Sequence, residues 1–156
     1  MLSKLKILFL CTGNSCRSQM AEAWARQLHS DGIEAHSAGT RPGVLDPRAV
    51  RVMEEEGVPM AGHRSKHVDE VAGAGFDVVV TVCDRARESC PVLPGVTRQI
   101  HAGFDDPPHL AANAPGEEEA LAVYRRVRDE IRAFVETLPA RLAGRSGGSE
   151  ERGGDR

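Results

Sequence analysis

Aromatic side chains make up only 4% of the 156 residues: one tryptophan, one tyrosine and four phenylalanines. That is too few for a base-stacking platform or an interfacial aromatic belt. An excess of one charge is also missing, since 20 Lys and Arg face 23 Asp and Glu for a net charge of -3. This excludes the basic footprint that phosphate-backbone binding demands, so no nucleic-acid partner is expected. No apolar run approaches the roughly 18 residues of a membrane span. Lys4 and Lys6 before Ile7-Leu8-Phe9-Leu10 imitate a signal peptide, but the run is short and passes at once into Thr12-Gly13-Asn14-Ser15, without a cleavage pattern. A cytoplasmic protein with no membrane association is expected. Without an export signal, the four cysteines read as metal-binding or redox-active thiols rather than as two structural disulfides.

What is present fits one globular domain: 40% hydrophobic and 28% charged residues in a chain of this length can bury roughly two thirds of the unfolded surface. Lys6 to Cys11 is a nearly continuous apolar run, and Phe76 to Cys83 is rich in β-branched residues; both suit strands buried on two faces of a parallel sheet. Glu34 to Ala38 and Thr97 to His101 are further strand candidates, bounded by glycine or proline. Between them, Ser18 to His29 carries Met20, Ala21, Trp24, Ala25 and Leu28 on one helical stripe. Asp46-Pro47 opens a helix running to about Glu56 and closed by Gly57. A shorter helix is predicted over Lys66 to Ala72, and a long one over Glu117 to Leu142, with Leu121, Tyr124, Val127, Ile131, Phe134 and Val135 on one face. Alternating strands and helices imply an α/β fold, a three-layer α/β/α sandwich around a four-stranded parallel sheet. Residues 1–142 form this domain; residues 143–156, polar and glycine-rich without an apolar anchor, are expected to be a disordered tail.

Cys11-Thr12-Gly13-Asn14-Ser15-Cys16-Arg17-Ser18 joins a buried strand to an amphipathic helix, where a parallel sheet presents its ligand crevice. Backbone N–H groups of a tight loop, continued by those of a helix N-terminus, form a cradle for a tetrahedral oxyanion. Arg17 adds a planar, bidentate donor. Cys11 in that positive field is expected to have a depressed pKa and to act as a nucleophile inside its own anion hole. Neither mononucleotide nor dinucleotide glycine loops match. A buried thiol that merely ends a strand would not account for a glycine, two hydroxyls and an arginine in the same loop.

Cys83 and Cys90 flank Asp84-Arg85-Ala86-Arg87-Glu88-Ser89, a stretch that looks helical, opened by Asp84 and stopped before Pro91. In an intact helix their Cα atoms lie about 10 Å apart, whereas a disulfide needs about 4.4 to 6.8 Å; pairing them requires unwinding, which so short a helix allows at modest cost. A tetrahedral zinc site is the competing reading, but the spacings are not the two-to-four-residue knuckle that zinc uses, so no metal and no cofactor is assigned. Gly103-Phe104-Asp105-Asp106-Pro107 supplies a loop carboxylate for general-acid work, from either Asp105 or Asp106.

The string from Cys11 to Ser18 resembles the catalytic loop of low-molecular-weight protein tyrosine phosphatases, and the longer CTGNSCRSQMAE is similar to the thioredoxin-coupled arsenate reductases of that superfamily. Val-Val-Val-Thr-Val-Cys-Asp-Arg-Ala-Arg-Glu-Ser-Cys-Pro resembles the redox segment of the same reductases, and the likeness extends from about Lys6 to Leu142. It implies that Thr12, Gly13, Asn14, Ser15, Cys16, Arg17 and Ser18 bind arsenate, with phosphate or sulfate as competitors. It further implies that Cys11 attacks arsenic, that Asp106 protonates the leaving oxygen, and that Cys83 then displaces arsenite from Cys11. Cys90 resolves that bridge into a Cys83–Cys90 disulfide, which thioredoxin reduces. Ser18 is expected to hydrogen-bond the thiolate, Asn14 to hold the loop, and Cys16 to be a dispensable packing residue. Some relatives hold a potassium ion through residues matching Asn14, Glu22 and Ser37 and a segment that here reads His63-Arg64-Ser65-Lys66; Lys66 is expected to replace that charge. A monomer is expected, and a phosphatase of the same fold is the alternative activity.

Overall fold

The computed structural model describes residues 4–88, 90, 93, 95, 96, 98–142 and 149–151. Ile7 to Cys11 are all buried, so the apolar run becomes β1 (Leu5–Cys11) at the sheet centre. β2 (Ile33–Gly39) lies on one side of it, and β3 (Val78–Thr81) and β4 (Arg98–His101) on the other, all parallel. Thr97, at the start of the last predicted strand, lies outside the described residues. The four-stranded parallel core and its flanking helices are those expected from the sequence. A short β5 (Ser149–Glu151) extends the edge beside β4. It is the described part of the stretch expected to be a disordered tail, and edge pairing through backbone hydrogen bonds needs no apolar anchor.

Strand order β2-β1-β3-β4 makes the chain leave β1 toward one edge and return through β3 toward the other. The loops after β1 and β3 therefore diverge, opening a crevice at the strands' carboxyl ends. The register Leu10↔Thr81 and the hydrogen bond from Val82 N–H to the Leu10 carbonyl (2.9 Å) set the residues around Cys11 and Cys83 side by side.

α1 (Arg17–Leu28) buries Met20, Ala21, Trp24 and Ala25. It packs on α5 (Glu117–Glu136), which buries Leu121, Tyr124, Val127, Ile131, Phe134 and Val135. Trp24 Nε1 donates to the Arg128 carbonyl (3.2 Å), and the Arg132 guanidinium lies 4.8 Å over the indole, so one large side chain locks both helices. α2 (Pro47–Glu55) starts as expected: Asp46 caps Arg48 N–H (3.0 Å), proline follows at the first position, and Gly57 closes it at φ 74°. Two predicted helices differ. In place of the helix over Lys66 to Ala72 there is a single 3₁₀ turn, Val68–Glu70, whose start His67 caps by accepting from Asp69 N–H (3.0 Å); a second turn, Ala72–Ala74, follows and ends at Gly75 (φ 79°). The long helix breaks at Thr137, whose hydroxyl donates to the Phe134 carbonyl (2.6 Å), ahead of Pro139, which lacks an N–H; α6 (Leu138–Leu142) follows. α3 (Asp84–Glu88) and α4 (Pro107–Ala111) are short helices at the crevice; α4 was not foreseen.

Candidate functional site

Cys11 ends β1, and Arg17 begins α1. The intervening loop turns its carbonyls outward: Cys11 O accepts from Thr40 N–H (3.2 Å), Thr12 O from Arg41 (2.9 Å), Gly13 O from Gly43 (2.9 Å) and Ser15 O from Asp46 (2.9 Å). With its acceptors engaged by residues 40–46, the loop keeps its N–H edge for the concave side. Asn14 N–H points to Cys11 Sγ at 3.2 Å. The first N–H groups of α1, which have no partner within the helix, open on the same side.

Asn14 holds this shape. It is the described non-glycine residue at positive φ (50°) and is fully buried; asparagine tolerates that region better than most. Its Oδ1 accepts from Lys66 N–H (2.9 Å) and Gln19 Nε2 (3.1 Å), and its carbonyl accepts from Ser65 Oγ (2.7 Å) and Gln19 Nε2 (3.0 Å). With Oδ1 thus identified, the amide nitrogen donates to Ser18 Oγ (2.8 Å), which leaves the Ser18 hydroxyl proton to point at Cys11 Sγ, 2.9 Å away. Gly39 passes beneath. A Cβ there would lie 2.5 Å from the Thr12 carbonyl and 3.0 Å from Asn14 N, so only glycine fits. Gly39, Gln19 and Ser65 were missed from sequence; a glycine closing the strand candidate Glu34 to Ala38 was the one available hint.

Burial raises the Cys11 thiol above its ordinary pKa, opposed by the Ser18 hydroxyl and Arg17, while Cys83 adds to the rise. The expected depression is therefore not seen, because removal from water outweighs the donors now facing the sulfur. Cys16, at the N-cap of α1, is buried and raised well above its ordinary value, first by burial and then by the charge of Asp46. Tyr124 donates to the same carboxylate (2.6 Å). Cys16 thus sits behind the loop, in packing.

Arg17 bridges the loop and the acid segment. One guanidinium nitrogen donates to the Phe104 carbonyl (2.9 Å), and another lies 3.5 Å from Asp106 Oδ1. Asp106 occupies the N-cap position of α4, yet its carboxylate makes no capping bond. Asp105 instead pairs with Arg126 (3.2 Å), so of the two acids Asp106 is the one beside Arg17 of the loop. Cys83 does not end the strand; it lies two residues past the end of β3 and directly before α3. Its sulfur accepts from Ala86 N–H (3.4 Å) and lies 3.4 Å from Thr12 Oγ1. Cys90, half-buried against the core, stands past the other end of α3; Ser89 and Pro91 lie outside the described residues. All four cysteines are thiols.

Thus the structure brings together Cys11, the loop, Arg17, Asp106 and Cys83, and sets Cys90 beyond α3. Glu22 pairs with Arg26 (2.6 Å) and accepts from Ser37 Oγ (2.5 Å). Its charge is thus partnered within the chain. Arg26, rather than Lys66, supplies the ion pair. The Lys66 ammonium, lowered by burial, donates to the Arg64 carbonyl (3.2 Å). Among the described residues no three His, Cys, Asp or Glu side chains group as a metal would need, and no helix is long and apolar enough to cross a membrane. A cavity of about 440 Å³, lined by Leu5, Leu28, Ile33, Pro139 and Leu142 together with His29, Ser30 and Asp31, lies at the opposite end of the strands from the loop.

Comparison with known proteins agrees with this geometry. Residues 6–146 match the family described as low molecular weight phosphotyrosine protein phosphatase. An arsenate reductase of Bacillus subtilis is 46% identical over 136 residues, covering 84% of this chain and 95% of the relative. One from Halalkalibacterium halodurans is 43% identical over 138 residues, covering 88% and 96%. A solved arsenate reductase in the phosphate binding state superimposes with a TM-score of 0.68 at 32% identity, covering 89% of this chain and 99% of that one.

Proposed function

The chain belongs to the low molecular weight phosphotyrosine protein phosphatase family, and from that premise we propose that it is an arsenate reductase driven by a three-thiol relay. The observation that carries this reading is Cys83 beside Thr12 of the anion-binding loop, with a further thiol, Cys90, past α3. Hydrolysis of a phosphoester needs one sulfur, whereas reducing arsenic(V) to arsenic(III) takes two electrons, which a dithiol gives up on becoming a disulfide.

Arsenate enters the N–H cradle of residues 12–18, with Arg17 offering two parallel donors. Deprotonation of Cys11 is the first requirement; the Ser18 hydroxyl stabilises the thiolate, and Asn14 aims that hydroxyl. The thiolate forms an S–As bond as an oxygen of arsenate leaves, protonated by Asp106. Cys83, as thiolate, attacks Cys11 Sγ. The S–As bond breaks with its electron pair on arsenic, arsenite departs, and a Cys11–Cys83 disulfide remains. Cys90 then attacks Cys83, releasing Cys11 as thiolate and leaving Cys83–Cys90. The dithiol of thioredoxin takes that oxidation away. Thiols kept reduced for this cycle suit the cytoplasm, and because the site is built from one chain, a monomer suffices.

The test is single-turnover incubation of the pre-reduced protein with arsenate, followed by disulfide mapping. Stoichiometric arsenite with a Cys83–Cys90 bridge is expected. Cys90→Ser should still release one arsenite per chain and stall as Cys11–Cys83. Hydrolysis of an aryl phosphate with no arsenite would replace this reading with a phosphatase, whose turnover would survive Cys83→Ser and Cys90→Ser.

A further inference from the structure

Next to the relay lies a side-chain cluster that the mechanism above does not use. His101 closes β4 and is nearly buried; its Nε2 lies 2.9 Å from Asp84 Oδ1, and its Nδ1 lies 2.9 Å from Thr81 Oγ1. A carboxylate only accepts, so Nε2 carries a proton and donates it to Asp84, while the Thr81 hydroxyl donates to Nδ1 in the neutral ring. Thr81 closes β3, and Asp84 opens α3 directly after Cys83. The imidazole thus ties the first residue of α3 to the ends of two sheet strands. Gly103 packs over the pair: a Cβ there would lie 3.0 Å from Nε2 and 3.5 Å from Asp84 Oδ1. Backbone bonds from Ala102 to Thr81 (2.8 Å) and from Phe104 to Val82 (3.2 Å) hold the cover in place.

We propose that His101 is a positioning residue that clamps the Cys83 end of α3 through Asp84, so that Cys83 stays beneath Thr12 while the Cys90 end unwinds. The proposal rests on the relay reading. A helix of five residues that must open can open from either end. If its first turn came loose, Cys83 would leave Cys11 before the first disulfide formed. With the clamp, the sheet holds the first turn, and Cys90 is the sulfur that travels.

Two arms test this. In hydrogen exchange, His101→Ala and Asp84→Ala should speed exchange at the amides of residues 84–88 about tenfold, the equivalent of one hydrogen bond to a charged group, with loop residues 11–18 unchanged. Asp84→Asn keeps an acceptor and should stay near wild type. In single-turnover reduction, both alanine variants should slow arsenite release about tenfold and be no worse when combined, while the affinity for inorganic phosphate, read by thermal shift, and the Cys90 step keep wild-type values. An equal loss of phosphate affinity and arsenite release would mean general loosening and would overturn the clamp. So would unchanged exchange at residues 84–88. Asp84, largely exposed, serves should His101→Ala fail to fold. A wild type that releases no arsenite would refute the relay alone, leaving the clamp to be judged by exchange.

Discussion

In the proposed relay the loop at residues 11–18 and the segment from Cys83 to Cys90 both contribute sulfur, yet they are built on opposite plans. The loop is over-determined: Asn14 engages five groups, four carbonyls are tied to residues 40–46, and Gly39 permits a contact that no other residue allows. The segment rests on a five-residue helix with an exposed outer face, held at its start by Cys83 and Asp84. The difference follows from the work. Binding an oxyanion gains from donors that need no reorganisation, whereas forming a Cys83–Cys90 bridge demands a change of shape that a rigid element would forbid.

This contrast can be broken by substitution. The largest effect is expected at the acid: Asp106→Asn should slow the first chemical step by about a hundredfold or more, measured as initial arsenite release, while Asp105→Asn, which only loosens a pair with Arg126, should stay within about twofold. Next comes the rigid region itself. Asn14→Ala places a residue with a Cβ but no amide at φ 50° and strands buried partners, and should cost about 3 kcal/mol of unfolding free energy. Glu88→Ala in α3 should change it by less than about 0.5 kcal/mol; comparable values by urea denaturation would erase the distinction. A smaller effect is expected at Ser18. Its loss should raise the Cys11 pKa further and slow alkylation by iodoacetamide at neutral pH about tenfold, with Cys90 alkylation serving as the internal reference.

The smallest effect concerns pH. Cys11 and Cys16 both have folded pKa values raised by burial. Their neutral forms are favoured in the folded protein, so their contribution to stability is complete below the unfolded thiol pKa, near 8.5, and is lost as pH rises toward the folded values. Thermal melts should show a decline above about pH 9 that is reduced in Cys16→Ser. A decline identical in that variant would remove Cys16 as a source.

The parallel sheet, the helix opened by Asp46-Pro47 and, to within a residue, the helix predicted from Ser18 were legible, because each is written in neighbouring residues: an apolar run, an N-cap followed by proline, an apolar stripe. The different partners of the two acids were not legible: Asp106 faces Arg17, whereas Asp105 meets Arg126 on α5, distant in sequence and adjacent in space. Likewise, Thr137 with Pro139 ended a helix that periodicity alone extends to Leu142.

Local chemistry in the chain therefore marked the candidate groups: Cys11 as proposed nucleophile, Arg17 as proposed anion donor, and Cys83 and Cys90 as the proposed redox pair. Tertiary structure decided their states and neighbours. Burial raised the Cys11 thiol instead of lowering it, Arg26 took the direct ion pair with Glu22 while Lys66 attracts it at longer range, and His101 reached Asp84 from another strand. Such outcomes depend on solvent exclusion and on contacts across strand register, and neither is a property of any short stretch of sequence.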